Sequence, residues 1–171
     1  GEDVLLVDTR NDYEYALGTF NGALNPRTKS FGEFPGWARD NLAAHKDRKI
    51  VTFCTGGIRC EKATAWMRRE GFSDVHQLDG GIITYLEQFK DPGESHWRGD
   101  LVVFDRRKAI KKDLSPSDQA ICYICLHRID GVAKGDYKDL CTTCGDRLAY
   151  NAKARQVAGQ AEHAKNLTRR E

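Results

Sequence analysis

No stretch of about 18 consecutive apolar residues occurs in the chain, which excludes a membrane-spanning helix. The N-terminus lacks a basic and apolar targeting segment; Gly-Glu-Asp-Val-Leu-Leu-Val-Asp is already a strand signal. An initiator methionine is missing too, and with a strand starting at residue 4 the chain reads as a fragment of a longer protein. Large apolar side chains are nearly absent from residues 151–171, which are rich in Ala, Lys, Arg and Gln. That stretch is expected to be a solvent-exposed helix or a frayed tail without chemistry. A strong charge of one sign is also lacking, since the net formal charge is +2. The balance is uneven, however: residues 1–100 hold 13 Lys+Arg against 16 Asp+Glu (net −3), and residues 101–171 hold 14 against 9 (net +5). A mildly basic second half is compatible with RNA and equally with a solvated mixed-charge surface.

What is present, 171 residues of which 40% are hydrophobic and 30% charged, suits one medium domain and a smaller one. Residues 4–7 (Val-Leu-Leu-Val), 50–53 (Ile-Val-Thr-Phe) and 75–78 (Val-His-Gln-Leu) are short apolar runs of the kind that fill strands buried on both faces. Between them, residues 31–44 place Phe34, Trp37, Ala38 and Leu42 at helical spacing, residues 63–67 continue a second helical pattern, and residues 82–89 follow Gly80-Gly81. Alternating strands and helices joined by short links predict an α/β fold, a parallel sheet flanked by helices. Ligands of such sheets bind beyond the carboxyl ends of the strands, where Cys54 follows the run 50–53.

Residues 54–60 read Cys-Thr-Gly-Gly-Ile-Arg-Cys. A cysteine where a strand turns into a helix faces unpaired backbone N–H groups and the positive end of the helix dipole, and Arg59 adds a full charge. These features favour the thiolate of Cys54, the form that acts as a nucleophile, with Gly56 and Gly57 letting the backbone of Thr55 to Ile58 curl into a cradle. Cys60, near the helix start, is either a small core residue or a resolving thiol.

Cys54, Gly57 and Arg59 match the CxxGxR loop of the rhodanese family residue by residue, and the chain resembles that family further in Asp8-Thr9-Arg10 and in Leu78-Asp79-Gly80-Gly81-Ile82. Gly18-Thr19-Phe20 departs from the family's pattern, with Thr19 in place of its usual histidine. Four residues separate Cys54 from Arg59, as in sulfur-transferring members; related phosphatases have five. The longer strings, Asp8 to Glu14, Gly18-Thr19-Phe20, Asn25-Pro26, Lys29-Ser30-Phe31, Cys54 to Lys62, Leu78 to Leu86 and Trp97-Arg98-Gly99 with Val102 to Arg106, resemble the oxygen-dependent tRNA uridine hydroxylases. That resemblance implies conversion of a wobble uridine to 5-hydroxyuridine, molecular oxygen as co-substrate, tRNA bound through the full-length protein, a cytoplasmic enzyme, and a preceding domain absent from this chain. It implies Cys54 as catalytic residue and Thr55, Gly56, Gly57, Ile58 and Arg59 as the substrate-binding set, which also stabilises the anionic forms of Cys54. Asp8 and Arg10 are placed with that set, pairing with each other, bracing the loop or serving only structure. Two alternatives stay open: a sulfurtransferase carrying a persulfide on Cys54, and a non-catalytic zinc adaptor on the same scaffold. Arg27, Lys29, Arg68 and Arg69 are candidate phosphate contacts or solvated surface.

Cys122-x-x-Cys125 and Cys141-x-x-Cys144 are two CxxC pairs separated by 15 residues, the spacing of a four-thiolate structural zinc site. The segment between them has few large apolar residues and needs a cross-link to fold; two disulfides are the rival reading, and His127 is read as a surface residue. The expected organisation is a catalytic unit over 1–100, a linker or extension over 101–116, a zinc module over 117–150 and the tail over 151–171.

Overall fold

The computed structural model describes residues 3–89, 93–133, 135, 139–149 and 151–153. In chain order it contains β1 (Leu5–Asp8), α1 (Asp12–Leu17), β2 (Gly18–Phe20), α2 (Phe34–Leu42), β3 (Ile50–Phe53), α3 (Ile58–Arg69), β4 (Val75–Gln77) and α4 (Gly81–Gln88). Short paired strands follow: β5 (Trp97–Gly99), β6 (Leu101–Val102), β7 (Ala109–Ile110), β8 (Gln119–Ile121) and β9 (Arg128–Ala133). Residues 142–149 and 151–153 are helical, and the rest of the expected tail lies outside the described residues. No helix among the described residues is long and apolar enough to cross a membrane.

The central sheet is parallel in the order β1-β3-β4, with Leu5 opposite Ile50 and Ile50 opposite Val75, and Leu24 adds a single parallel bridge to Val7. Because side chains alternate along a strand, β1 and β3 send successive residues to opposite faces. Val7 and Ile50 meet Phe34, Ala38 and Leu42 of α2 and Ala63 and Met67 of α3. Phe53 points the other way, into a second cluster with Phe20, Ile82, Leu86 and Trp97. In that cluster the Phe20 ring lies edge-on to Phe53, Tyr85 and Trp97 at 4.9, 4.7 and 5.1 Å, the arrangement favoured by the ring quadrupoles.

The helices follow from local sequence. In α3, Cys60, Ala63, Thr64 and Met67 form the buried stripe at three- and four-residue spacing. The periodic stretch 31–44 divides into a tight turn (Phe31–Glu33), α2 with Pro35 in its first turn, and a second tight turn (Ala43–His45). Trp97 reaches the second core because β5 pairs antiparallel with β2. Leu101, Val103 and Ile110 join the same core, so the segment after residue 100 packs on the sheet as an extension of it. Lys108, itself buried, donates to the Ile121 carbonyl at 2.8 Å and ties the β6–β7 turn to the β8–β9 hairpin.

Candidate active site

β3 ends at Phe53, and the four residues from Cys54 to Gly57 carry the chain to the first turn of α3. Gly57 has φ 91°, a left-handed conformation that a side chain disfavours, and in it the Gly57 N–H donates to Cys54 Sγ at 3.1 Å. Gly56 has an ordinary φ and open space about its α-carbon, so only one of the two loop glycines is required by backbone conformation. The loop is gripped from behind by α4. Its N-terminal N–H groups lack partners within the helix, and here Ile82 donates to the Cys54 carbonyl at 3.0 Å and Ile83 to that of Thr55 at 3.1 Å. Gly81, at φ 69°, permits that approach, since a Cβ there would stand 2.7 Å from the Cys54 oxygen and 2.8 Å from both the Gly57 nitrogen and the Thr55 oxygen.

The Cys54 thiol is lowered to about 5, chiefly by a hydrogen bond from the Cys60 side chain; burial opposes this, and the N–H groups of Cys60 and Arg59 and the Arg59 charge add to it. Cys60 shifts the opposite way, raised by the same hydrogen bond, by burial and by the Cys54 charge. It lies fully buried with its sulfur 3.5 Å from Thr9 Oγ1. The two cysteines therefore differ in character: one is an anion at neutral pH, the other a protonated neighbour.

Arg59 is held rather than free. Its Nη1 and Nη2 donate to Glu14 Oε2 and Oε1 at 2.6 and 2.8 Å, and Nη2 lies 3.4 Å from Thr55 Oγ1. Burial works against the guanidinium charge, but the hydrogen bonds and charge of Glu14 outweigh it and raise the group above its ordinary value. The Glu14 carboxylate is fully buried and also accepts the Asn11 N–H at 3.0 Å, which fixes it to the start of α1.

Asp8 and Arg10 pair with each other, with Nε to Oδ1 at 2.9 Å and Nη2 to Oδ2 at 2.6 Å. Both side chains are 0% exposed, and neither is among the residues that line the cavity at Cys54. Thr19, where the family pattern has histidine, donates to Asp8 Oδ2 at 3.1 Å and completes this interior network. Arg10 Nη1 has no hydrogen-bond partner among the described residues, and its guanidinium lies 5.2 Å from the Trp97 ring centroid, a cation–π contact that offsets part of the loss.

Cys54 opens onto a cavity of about 440 Å³, within the range of about 300–1,000 Å³ usual for ligand sites. One wall is the loop itself: Thr55, Gly56, Ile58 and Arg59. The other comprises Ile83 of α4 and Val103, Phe104, Asp105 and Arg107 of the β6–β7 turn. Glu14 and this turn have no assigned role in the sequence reading. Both lie in strings that carry the family resemblance, Asp8 to Glu14 and Val102 to Arg106, but nothing in those strings marks Glu14 as the buried partner of Arg59 or the turn as a cavity wall. None of Arg27, Lys29, Arg68 or Arg69 lines the cavity: Arg27 borders a different one with Leu24, Pro26 and Trp37, and Arg68 donates to the Val75 carbonyl at 2.8 Å.

The second cysteine group converges as its spacing implies. The sulfurs of Cys122, Cys125, Cys141 and Cys144 all lie within 4.8 Å of one another and none forms a disulfide, so the group can hold a metal ion. A tetrahedron with metal–sulfur bonds of about 2.3 Å has edges of about 3.8 Å, and Cys125 Sγ is 3.7 Å from Cys141 Sγ. Tight turns shape each pair: Leu126 N–H donates to the Cys122 carbonyl at 3.1 Å, and Gly145 N–H to that of Cys141 at 2.9 Å. His127 stays outside the group, with its ring 5.7 Å from Tyr13.

The family model described as "Rhodanese-like domain" matches residues 1–88. Curated proteins named tRNA uridine(34) hydroxylase from Picosynechococcus sp., Rhizobium leguminosarum bv. trifolii and Synechocystis sp. are 52, 44 and 47% identical over 132, 166 and 152 residues. These alignments cover 77, 91 and 87% of this chain and 44, 53 and 54% of those proteins, so the chain spans about half the length of the curated relatives it matches. Among solved structures, the rhodanese-like domain of the Alr3790 protein from Anabaena sp. is similar with a TM-score of 0.44 at 23% identity, covering 52% of this chain and 78% of that one.

Proposed function

The chain is a member of the rhodanese-like domain family, and from that premise we propose that it is the cysteine-bearing part of an enzyme that hydroxylates the wobble uridine of tRNA to 5-hydroxyuridine, with molecular oxygen as co-substrate. The observation that carries the reading is the Cys54 loop: a thiol lowered to about 5, held by the Gly57 N–H and facing a cavity, in a chain 52% identical over 132 residues to a protein named for this reaction. Cys54 is the nucleophile. The N–H groups of the loop and the Arg59 guanidinium stabilise its anionic forms, and Glu14 positions Arg59. Cys60 donates to the thiolate and keeps its own proton. The tRNA is bound through the full-length protein, in the cytoplasm, where thiols stay reduced.

Cys122, Cys125, Cys141 and Cys144 hold zinc. Four thiolates leave no open position on the ion, so its part is to fold the β8–β9 region rather than to take part in the reaction.

A second reading, sulfur transfer, has one observation in its favour: the four-residue loop between Cys54 and Arg59, whose N–H groups would also cradle a persulfide. Growth of cells carrying the natural gene under heavy-isotope dioxygen, followed by accurate-mass nucleoside analysis, separates the two. Hydroxylation places the heavy oxygen in uridine. Sulfur transfer leaves uridine unlabelled and gives Cys54-dependent turnover of thiosulfate.

A further inference from the structure

The far wall of the Cys54 cavity carries a side chain that neither the thiolate nor the fold requires. Phe104 is 66% exposed, the most exposed large apolar side chain among the described residues. It stands at the tip of the β6–β7 turn with its ring centroid 5.9 Å from the Arg59 guanidinium carbon. Lone exposed apolar residues are common and need no explanation, but this one lines the cavity of the reactive cysteine.

The turn that presents it is firmly built. Val103 N–H donates to the Lys108 carbonyl at 2.8 Å, Lys108 N–H to that of Asp105 at 3.0 Å, and Arg107 N–H to Asp105 Oδ1 at 2.8 Å. Val103 and Lys108 at its base are buried, and the Lys108 ammonium group is fixed on the Ile121 carbonyl. The aromatic ring is thus held out over the cavity mouth by an anchored hairpin. Facing it across the opening is Ile58, itself 64% exposed, on the cysteine loop. A flat ring entering between the two would cover apolar surface on both sides.

The charges around the mouth narrow the ligand class. Arg106 and Arg107 flank the tip, both exposed. Arg107 is paired with Asp105 at 2.6 Å in a half-exposed ion pair, a kind of contact weak enough to rearrange around an incoming anion. An aromatic platform with guanidinium groups beside it is the recurring device for holding a single-stranded nucleotide, the base on the ring and the phosphate on the cations.

We propose that Phe104 is the stacking platform for the uracil base, holding the extruded nucleotide against the Cys54 loop. This rests on the tRNA reading above and names the residue that seats its target base. The sugar and phosphate of the stacked nucleotide lie toward Arg106 and Arg107.

The test is a binding cycle with the protein as its gene encodes it and an anticodon stem-loop RNA carrying either uridine or an abasic site at the wobble position. Stacking on an aromatic side chain implies that removing the base weakens binding by about 10-fold in the wild type and by less than about 3-fold in Phe104→Ala. Phe104→Trp retains the dependence on the base, and Phe104→Leu, apolar but without a π face, loses it. Unchanged iodoacetamide labelling of Cys54 verifies that each variant keeps the loop. The proposal is overturned if base removal weakens Phe104→Ala as much as the wild type, if leucine replaces phenylalanine without loss, or if the wild type is indifferent to the base. A hydroxylated product without this coupling removes the role of Phe104 and leaves the reaction standing; coupling without the product does the reverse.

Discussion

Gly81→Ala is expected to disable the cysteine loop from behind. Two costs add. A side chain at φ 69° meets the steric penalty of left-handed backbone, roughly 1–2 kcal/mol. The new Cβ would also press on three backbone atoms, at 2.7 Å from the Cys54 oxygen and 2.8 Å from the Gly57 nitrogen and the Thr55 oxygen. None of these belongs to a flexible side chain, so relief requires the loop or α4 to move, at a further cost of roughly 1–3 kcal/mol. The sum, about 2–5 kcal/mol, is a large fraction of a typical domain's stability. Movement would also break the hydrogen bonds from Ile82 and Ile83 and shift the N–H groups that face the sulfur. Urea unfolding measures the first effect, and the pH midpoint of Cys54 alkylation the second, which rises toward that of a free thiol. Gly56→Ala is the control, since open space surrounds that α-carbon and its φ is ordinary; its stability stays within about 0.5 kcal/mol of wild type. A Gly81→Ala protein with wild-type stability and an unmoved alkylation midpoint would refute the reasoning.

Four further outcomes are expected. Alkylation of Cys54 by iodoacetamide is half-maximal near pH 5 and flat above neutrality, whereas a free thiol's rate rises about 100-fold between pH 6 and 8.5; a midpoint near 8 contradicts the thiolate assignment. Because this folded-state value lies below the unfolded one, the associated stability is fully present above the unfolded thiol's range and is lost as pH falls through about 5, a trend that Cys54→Ser removes in unfolding curves taken across that window. Glu14→Gln leaves Arg59 without its buried counter-charge and costs about 3 kcal/mol by chemical denaturation, together with a higher Cys54 midpoint; a change under about 0.5 kcal/mol would contradict the pair's importance. Chelation releases one zinc per chain by elemental analysis and abolishes amide protection in β8 and β9 while β1, β3 and β4 stay protected; uniform protection after metal loss would deny the ion its folding role.

The parallel sheet and the cysteine loop were legible in the sequence because both are written locally. Apolar runs such as Ile50–Phe53 set strands, and Cys54 to Arg59 sets the loop within a single turn. The four-cysteine cluster was legible for the same reason, each CxxC pair being a short self-contained turn. What escaped lies far apart along the chain. Glu14 meets Arg59 across a separation of 45 residues, and nothing in the pattern of α1 distinguishes a buried acceptor from an exposed first-turn carboxylate. Asp8 and Arg10 are the opposite case, grouped with the substrate-binding residues yet buried against each other. Their two-residue spacing marks a pair, but only the packing of Trp97 and Phe53 over them removes that pair from the cavity. The cavity wall around Phe104 depends on β6 and β7 folding back over the loop, a tertiary event without a periodic signature.

The central claim is that Cys54 is the reactive group of a tRNA uridine hydroxylase. Its most direct test is accurate-mass nucleoside analysis of tRNA from cells in which the natural gene is intact, deleted or altered to Cys54→Ala, at a resolution that separates oxygen insertion from oxygen-to-sulfur exchange. The expected result is 5-hydroxyuridine with the intact gene and its loss in both the deletion and the variant. Retention of 5-hydroxyuridine with Cys54→Ala at close to the intact level would contradict it.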